Sequence, residues 1–228
     1  MRDHSIVLLS GGLDSTVTAA IALQQGPAAF LHVNYGQRTW KREEKAFNDI
    51  ADYYGVSERL VVNMEYMKDI GGSALTDASI DVPAGDLSRE GLPVTYVPFR
   101  NAHLLSIAVS WAEVRGALGG IYAGAVEEDS SGYPDCRVEF FRAFNHAVEL
   151  GTGRGSGIEI KTPLIEKKKS EIVRLGLKLK APLELTWSCY KSSVEACGEC
   201  DSCLLRLRGF LEAGSVDPIP YATHRTHS

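Results

Sequence analysis

The chain has 228 residues, a formal net charge of −5, 44% hydrophobic and 23% charged residues. That composition excludes a disordered chain and suits one α/β domain with a substantial core and a small appendage. The acidic balance argues against wholesale gripping of RNA or DNA, and no apolar run approaches a membrane span, so neither partner is expected. In chain order, residues 6–9 read as a buried strand. Residues 14–25 read as a helix with Val17, Ala20, Ile21 and Gln24 on one face, stopped by Gly26-Pro27. A second strand covers 28–34. A helix over 40–54 carries the stripe Phe47, Ile50, Ala51 and Tyr54 and ends at Gly55. A third strand covers 60–63. Helix 101–115 has Asn101 as its expected cap. Strand 121–126, helix 138–150 with a structural His146, strand 157–163 and a helix from 170 to 175 complete the pattern.

Strands separated by helices predict a doubly wound α/β fold with a parallel sheet covered on both faces. Two segments depart from it. Residues 65–98 are rich in Gly, Pro, Ser and Asp, as expected of a lid or mobile loop. The segment from Ser188 carries the cysteines and an amphipathic piece at 204–211, and the final ATHRTHS reads as a frayed end with surface histidines. The expected division is 1–183, an α/β domain, and 184–228, a small cysteine-bearing segment.

Residues 10–15 read SGGLDS. A strand, a glycine turn and a helix start together make an anion site. Glycine lets the backbone approach phosphate, and the first helical amides point at it. Ser10, Ser15 and Thr16 add hydroxyl donors. The turn lacks the lysine that a Walker A loop places before its Ser/Thr. Asp14 beside phosphates is tolerable only with a bridging Mg²⁺; otherwise it is a helix cap in a tight turn.

The chain has five cysteines. Cys189, Cys197, Cys200 and Cys203 are spaced C-x7-C-x2-C-x2-C, in a stretch too polar to be a core. Four thiolates suit Zn²⁺ in a closed structural site. An iron–sulfur cluster is the alternative, disfavoured by the upstream first cysteine and the absent Cys-Pro ending. With no run long enough for a signal peptide, reduced cysteines place the chain in the cytoplasm.

SGGLDS resembles the PP-loop of the ATP pyrophosphatases. That resemblance implies a five-stranded sheet with ATP at its carboxyl edge, contacts from Leu9, Ser10, Gly11, Gly12, Leu13, Asp14, Ser15, Thr16 and Val17, and attack on the α-phosphate. Further strings are NYGQR (34–38), VPFRN (97–101), EDSSGYPDCR (128–137), FNHAVELG (144–151), KTPLIEKKKSEI (161–172) and ELTWSCY (184–190). With the cysteine run they resemble the QueC family of 7-cyano-7-deazaguanine synthases from Ile6 to Phe210. Departures lie in the long loop and around Trp40 and Glu43.

The resemblance implies conversion of 7-carboxy-7-deazaguanine, a small 7-deazapurine, with ammonia and ATP. Adenylated carboxylate and amide intermediates lead to the nitrile, with Mg²⁺ at the phosphates and Zn²⁺ on the cysteines. Asp14, Ser15 and Lys169 are the expected catalytic residues. Asp135 is a candidate acceptor for the guanine-like edge, with Tyr133 stacking; Pro134-Asp135 as an ordinary turn is the alternative. Arg100 and Arg137 face the substrate carboxylate or the nucleotide, or else are surface ion-pair partners. Gln37 and Arg38 follow a strand end, at ligand level, or are loop polar residues; Lys167 and Lys168 line a solvated face. Cys136 keeps open a tRNA-thiolating reading through a persulfide, and a zinc-bearing ATP-binding interaction module is a third class. A homodimer is left open.

Overall fold

The computed structural model describes residues 4–116, 119–127, 132–153 and 156–222. Five parallel strands form one sheet in the order β3-β2-β1-β4-β5. They are β1 Ser5–Leu8, β2 Ala28–Asn34, β3 Arg59–Asn63, β4 Gly120–Ala123 and β5 Ile160–Lys161. The helices are α1 Leu13–Gln25, α2 Trp40–Tyr53, α3 Tyr66–Ile70, α4 Arg100–Arg115, α5 Val138–Gly151, α6 Lys169–Lys178 and α7 Asp201–Glu212. The chain builds outward from β1 through β2 to β3, then crosses back to lay β4 on the other side of β1. That reversal leaves a crevice between the carboxyl ends of β1 and β4, where Leu8 and Ala123 lie abreast.

β2 is buried along its whole length, as its continuous apolar run requires in a sheet covered on both faces. Phe30, Leu31 and Ile121 of the sheet pack with Phe47 and Ile50 of α2 and Leu105 of α4. Val17, Leu164, Ile172, Val173 and Phe210 form a second cluster that joins α1, α6 and α7. Trp187, Cys189, Cys200, Cys203 and Ile219 belong to the same core as the sheet. Among the described residues no helix is long and apolar enough to cross a membrane.

The structure departs from the sequence expectations in definite places. The fourth and fifth strands are shorter than 121–126 and 157–163. Only Ile121–Ile160 and Tyr122–Lys161 pair, and Gly124 turns the chain onto the start of α1, where a β-carbon would stand 2.8 Å from the Ser15 nitrogen. Helix α1 is buried almost all round, because α6 covers the side away from the sheet. Asn101 does not cap its helix. The N-cap is Phe99 in left-handed backbone, and the Asp135 carboxylate accepts from the Asn101 N–H at 2.9 Å. The last α/β helix starts at Lys169 and continues to Lys178.

Residues 65–98 contain α3 and are anchored at several points. Arg38 donates to the carbonyls of Ala74, Asp77 and Ile80, and Gly85 packs against Glu199 and Asp201. His146 is exposed beside Glu149 rather than structural. Residues 128–131 of one quoted string and the terminal His224 and His227 lie outside the described residues.

Candidate active site

A cavity of about 320 Å³ opens at the crevice. Its floor is the end of β1 and the loop that follows. Gly11 takes φ +87°, and its α-carbon lies so close to α2 that a β-carbon would stand 2.7 Å from the Glu43 carbonyl oxygen. Only glycine meets both demands. Gly12 is the N-cap of α1 and supplies no side-chain cap, so the first-turn amides are left for a ligand. Ser10 and Ser15 hydroxyls lie 3.0 Å apart at the mouth of this turn. The Thr16 hydroxyl is committed to the Gly12 carbonyl at 2.8 Å, and Val17 faces the core.

Asp14 stands in the first turn of α1 and is not its cap. Both of its carboxylate oxygens accept from the Lys169 ammonium at 2.8 Å. Lys169 is the first residue of α6, and its stem runs beneath Gly209 of α7, where any β-carbon would collide with it. The pair thus places a carboxylate and a cation beside open helical amides. That arrangement suits a polyphosphate with a divalent cation, the carboxylate turning to the metal and the lysine to the anion.

The opposite wall comes from β2, α4, the turn 133–136 and the C-terminal segment. Arg100 donates to the Tyr35 hydroxyl at 3.2 Å and lies over its ring at 5.2 Å. Tyr133 meets the Thr95 hydroxyl at 3.0 Å and leans on Tyr96. Cys136 accepts from Asn101 at 3.2 Å; burial pushes its thiol up to about 11. Burial likewise raises Tyr133, carries Tyr35 to about 12 and holds Tyr190 well above the ordinary phenol range. These phenols stay protonated and are hydrogen-bond donors.

Among the residues expected at the site, Leu9, Ser10, Gly12, Leu13, Asp14, Ser15, Arg100, Tyr133 and Lys169 line the cavity. Asp135 stands behind the wall, 2% exposed, with one oxygen on Asn101 and the other without a partner among the described residues. Gln37 braces the loop after β2, accepting from the Tyr35 N–H and donating to Glu43. Arg38 ties down the long loop, and Arg137 lies exposed at the N-cap of α5, off the cavity. Gly11 touches α2 rather than the cavity.

The four cysteines of the C-terminal run come together, all sulfurs within 4.8 Å of one another. Cys197 and Cys203 sulfurs are 3.9 Å apart, close to the roughly 3.8 Å edge of a tetrahedron with 2.3 Å metal–sulfur bonds. Cys189 accepts backbone N–H groups from Lys191, Ser192 and Cys197 at 3.3–3.4 Å. Thiol hydrogen bonds from Cys200 and Cys203 hold Cys189 far below the usual thiol range, while its Cys189 hydrogen bond pushes Cys200 up to about 12. Four sulfurs this close form a closed donor set that fits a metal ion such as zinc.

Residues 4–214 match the family model described as Queuosine biosynthesis protein QueC. The chain belongs to the QueC family. A relative from Chlorobium phaeobacteroides named 7-cyano-7-deazaguanine synthase is 60% identical over 95% of this chain and 96% of its own. One of the same name from Koribacter versatilis is 59% identical over 96% and 93%. Among solved structures, the U34-tRNA thiolase NcsA of Methanococcus maripaludis is 17% identical, with a TM-score of 0.47 over 79% of this chain and 57% of that one. Nothing about activity transfers at that distance.

The cavity is also lined by residues that sequence reasoning passed over. Tyr35, Glu43, Trp187, Tyr190 and Asp201 all line the cavity. Trp187 carries a usable signal. It stands in the quoted ELTWSCY string, and its backbone N–H donates to the Gly11 carbonyl at 2.8 Å, tying the C-terminal segment to the glycine turn. Arg42 stacks on its indole at 4.5 Å.

Proposed function

We propose that the protein converts 7-carboxy-7-deazaguanine, ammonia and ATP to 7-cyano-7-deazaguanine, an ATP-dependent carbon–nitrogen ligation within queuosine biosynthesis. The observation that supports it most is a full-length match to the QueC family by a chain whose SGGLDS turn opens into a cavity at the strand-order reversal. A carboxylate is a poor electrophile, because oxide is a poor leaving group. Attack of its oxygen on the α-phosphate of ATP expels pyrophosphate and makes the carbon attackable. Ammonia then displaces AMP to give the amide. A second adenylation at the amide oxygen allows loss of AMP and two protons to the nitrile.

This chain's part in that reaction is orientation and charge placement. The amides of residues 12–15 with Ser10 and Ser15 hold the β- and γ-phosphates. Asp14 would hold Mg²⁺, which would screen phosphate charge, and Lys169 would stand against the phosphates. Tyr133 serves the base and Arg100 its carboxylate, while Asp135 stands behind this wall and holds the start of α4 through the Asn101 N–H. Cys189, Cys197, Cys200 and Cys203 would hold Zn²⁺, which in a closed four-sulfur site supplies folding energy and no reacting water. Cys136 lines the cavity, but its raised pKa leaves little thiolate for the persulfide chemistry of a thiolating enzyme.

The test is incubation with the carboxy base, ATP, Mg²⁺ and ammonium, followed by mass spectrometry. The nitrile is expected. ATP bound but never consumed would favour an interaction module, and thiolated tRNA would favour the Cys136 reading.

A further inference from the structure

Arg100 reaches into the cavity with neutral hydrogen-bond partners only, and the Asp135 carboxylate lies within electrostatic reach but forms no ion pair with it. It donates to the Tyr35 hydroxyl at 3.2 Å and makes longer contacts of 3.3 and 3.4 Å to its neighbour Asn101. It forms no ion pair with any described residue. A guanidinium cannot shed its charge, and one held away from water is stabilised when an anion joins it. The guanidinium is therefore placed to take an anionic ligand in the cavity.

Tyr190 faces the same place. It lines the cavity and lies within electrostatic reach of Arg100, Tyr35 and Tyr133. Tyr133 spends its hydroxyl on Thr95, and Tyr35 receives Arg100. The Tyr190 hydroxyl makes no hydrogen bond to any described residue. Its place is set by the cysteine cluster, since it follows Cys189 in the chain and its backbone amide lies against the Cys200 sulfur. Asp201 and Ser202, between Cys200 and Cys203, form the adjoining wall.

We propose that Tyr190 is a specificity-determining residue that donates its phenol proton to the carboxylate held by Arg100, so that the cysteine cluster positions the acceptor end of the cavity. This rests on the reading of the substrate as a carboxylated 7-deazapurine. The carboxylate bridges a cation and a neutral donor, and an aromatic wall flanks the flat ring.

The experiment is calorimetric titration of the metal-loaded full chain with 7-carboxy-7-deazaguanine and with 7-deazaguanine, which lacks the carboxylate. Tyr190→Phe should weaken the carboxylated base about tenfold or more, the scale of a hydrogen bond to a charged group, and leave 7-deazaguanine and ATP within about twofold. Arg100→Gln should show the same selectivity with a larger loss, and metal content should be unchanged in both. Equal losses for the two bases would make Tyr190 a packing residue and overturn the proposal, as would no loss for either. Wild-type protein that binds neither base would instead reject the substrate reading, and the proposal with it. Should Tyr190→Phe fold poorly, Arg100→Gln with the same pair of ligands decides whether a carboxylate is read at this end.

Discussion

The two ends of the cavity are built in opposite ways. At the loop end, backbone geometry does the shaping: a strand stops at Leu8, Gly11 turns against α2, and α1 offers its first amides. Its turn and donors lie within one short stretch of sequence, with Trp187 and Lys169 reaching it from afar. At the other end, residues 186–200 contain no helix and no strand, and side-chain chemistry holds them in place. Four thiols converge there, and the buried Arg206–Asp217 pair, both side chains 3% exposed, locks the chain that follows. Arg206 also donates to Thr186 and Leu183, and Tyr221 donates to Asp217. The cavity thus joins a half shaped mostly by local backbone to one that exists only when distant side chains meet.

Metal removal should separate the two ends most strongly. Structural zinc contributes on the order of 10 kcal/mol or more to folding in small domains. Chelation, or Cys200→Ser, should therefore unfold the C-terminal segment, seen as proteolysis beyond Leu185, and abolish base binding. ATP affinity should fall less than base affinity, because the phosphate-facing amides belong to α1 while the segment touches that end only through Trp187 on Gly11 and α7 on the Lys169 stem. Equal loss of both ligands would mean that the ends fold as one unit, with Trp187 as the link.

A smaller break comes from Arg206→Ala at full metal occupancy. It strands the Asp217 carboxylate in the core and should cost about 3–5 kcal/mol in urea denaturation. A loss under 1 kcal/mol would remove the ion pair from the account of the tail.

Asp14→Asn sharpens the contrast from the loop side. Its partner Lys169 is 11% and Asp14 28% exposed, so the pair is partly solvated and stability should change by only about 1 kcal/mol or less. Turnover should vanish with the fold intact; near-normal turnover with Mg²⁺ would reduce Asp14 to a brace for Lys169.

The smallest effect is expected at Cys136. Its pKa, raised to about 11 by burial, keeps it a thiol at neutral pH. Alkylation should be slow at pH 7 and quicken about tenfold per unit as pH rises toward that value. Fast labelling at pH 7 would return it to the nucleophiles.

The sequence made the loop end readable because its logic is local: SGGLDS carries both the turn and the donors within six residues. The cysteine spacing was readable for the same reason. Contacts between distant segments were not. Asn101 reads locally as a helix cap, yet Asp135, 34 residues away, supplies the acceptor. Arg38 reads as a ligand residue at a strand end, yet the carbonyls of residues 74–80 claim it. Lys169 and Asp14 are 155 residues apart; the SGGLDS turn marked one and the family resemblance the other, but nothing in the sequence showed that they pair. Tyr190 closes the quoted ELTWSCY string beside Cys189, yet nothing local says that its hydroxyl faces the cavity.

The most direct test of the account follows the oxygen atoms. Carboxy base labelled with ¹⁸O in both carboxylate positions is turned over with ATP, Mg²⁺ and ammonium, and the products are weighed. The account predicts label in AMP, with unlabelled pyrophosphate, and conversion of the supplied amide to nitrile with ATP but without ammonia. Label in inorganic phosphate with ADP as co-product would mean that the loop presents the γ-phosphate, and would contradict attack at the α-phosphate.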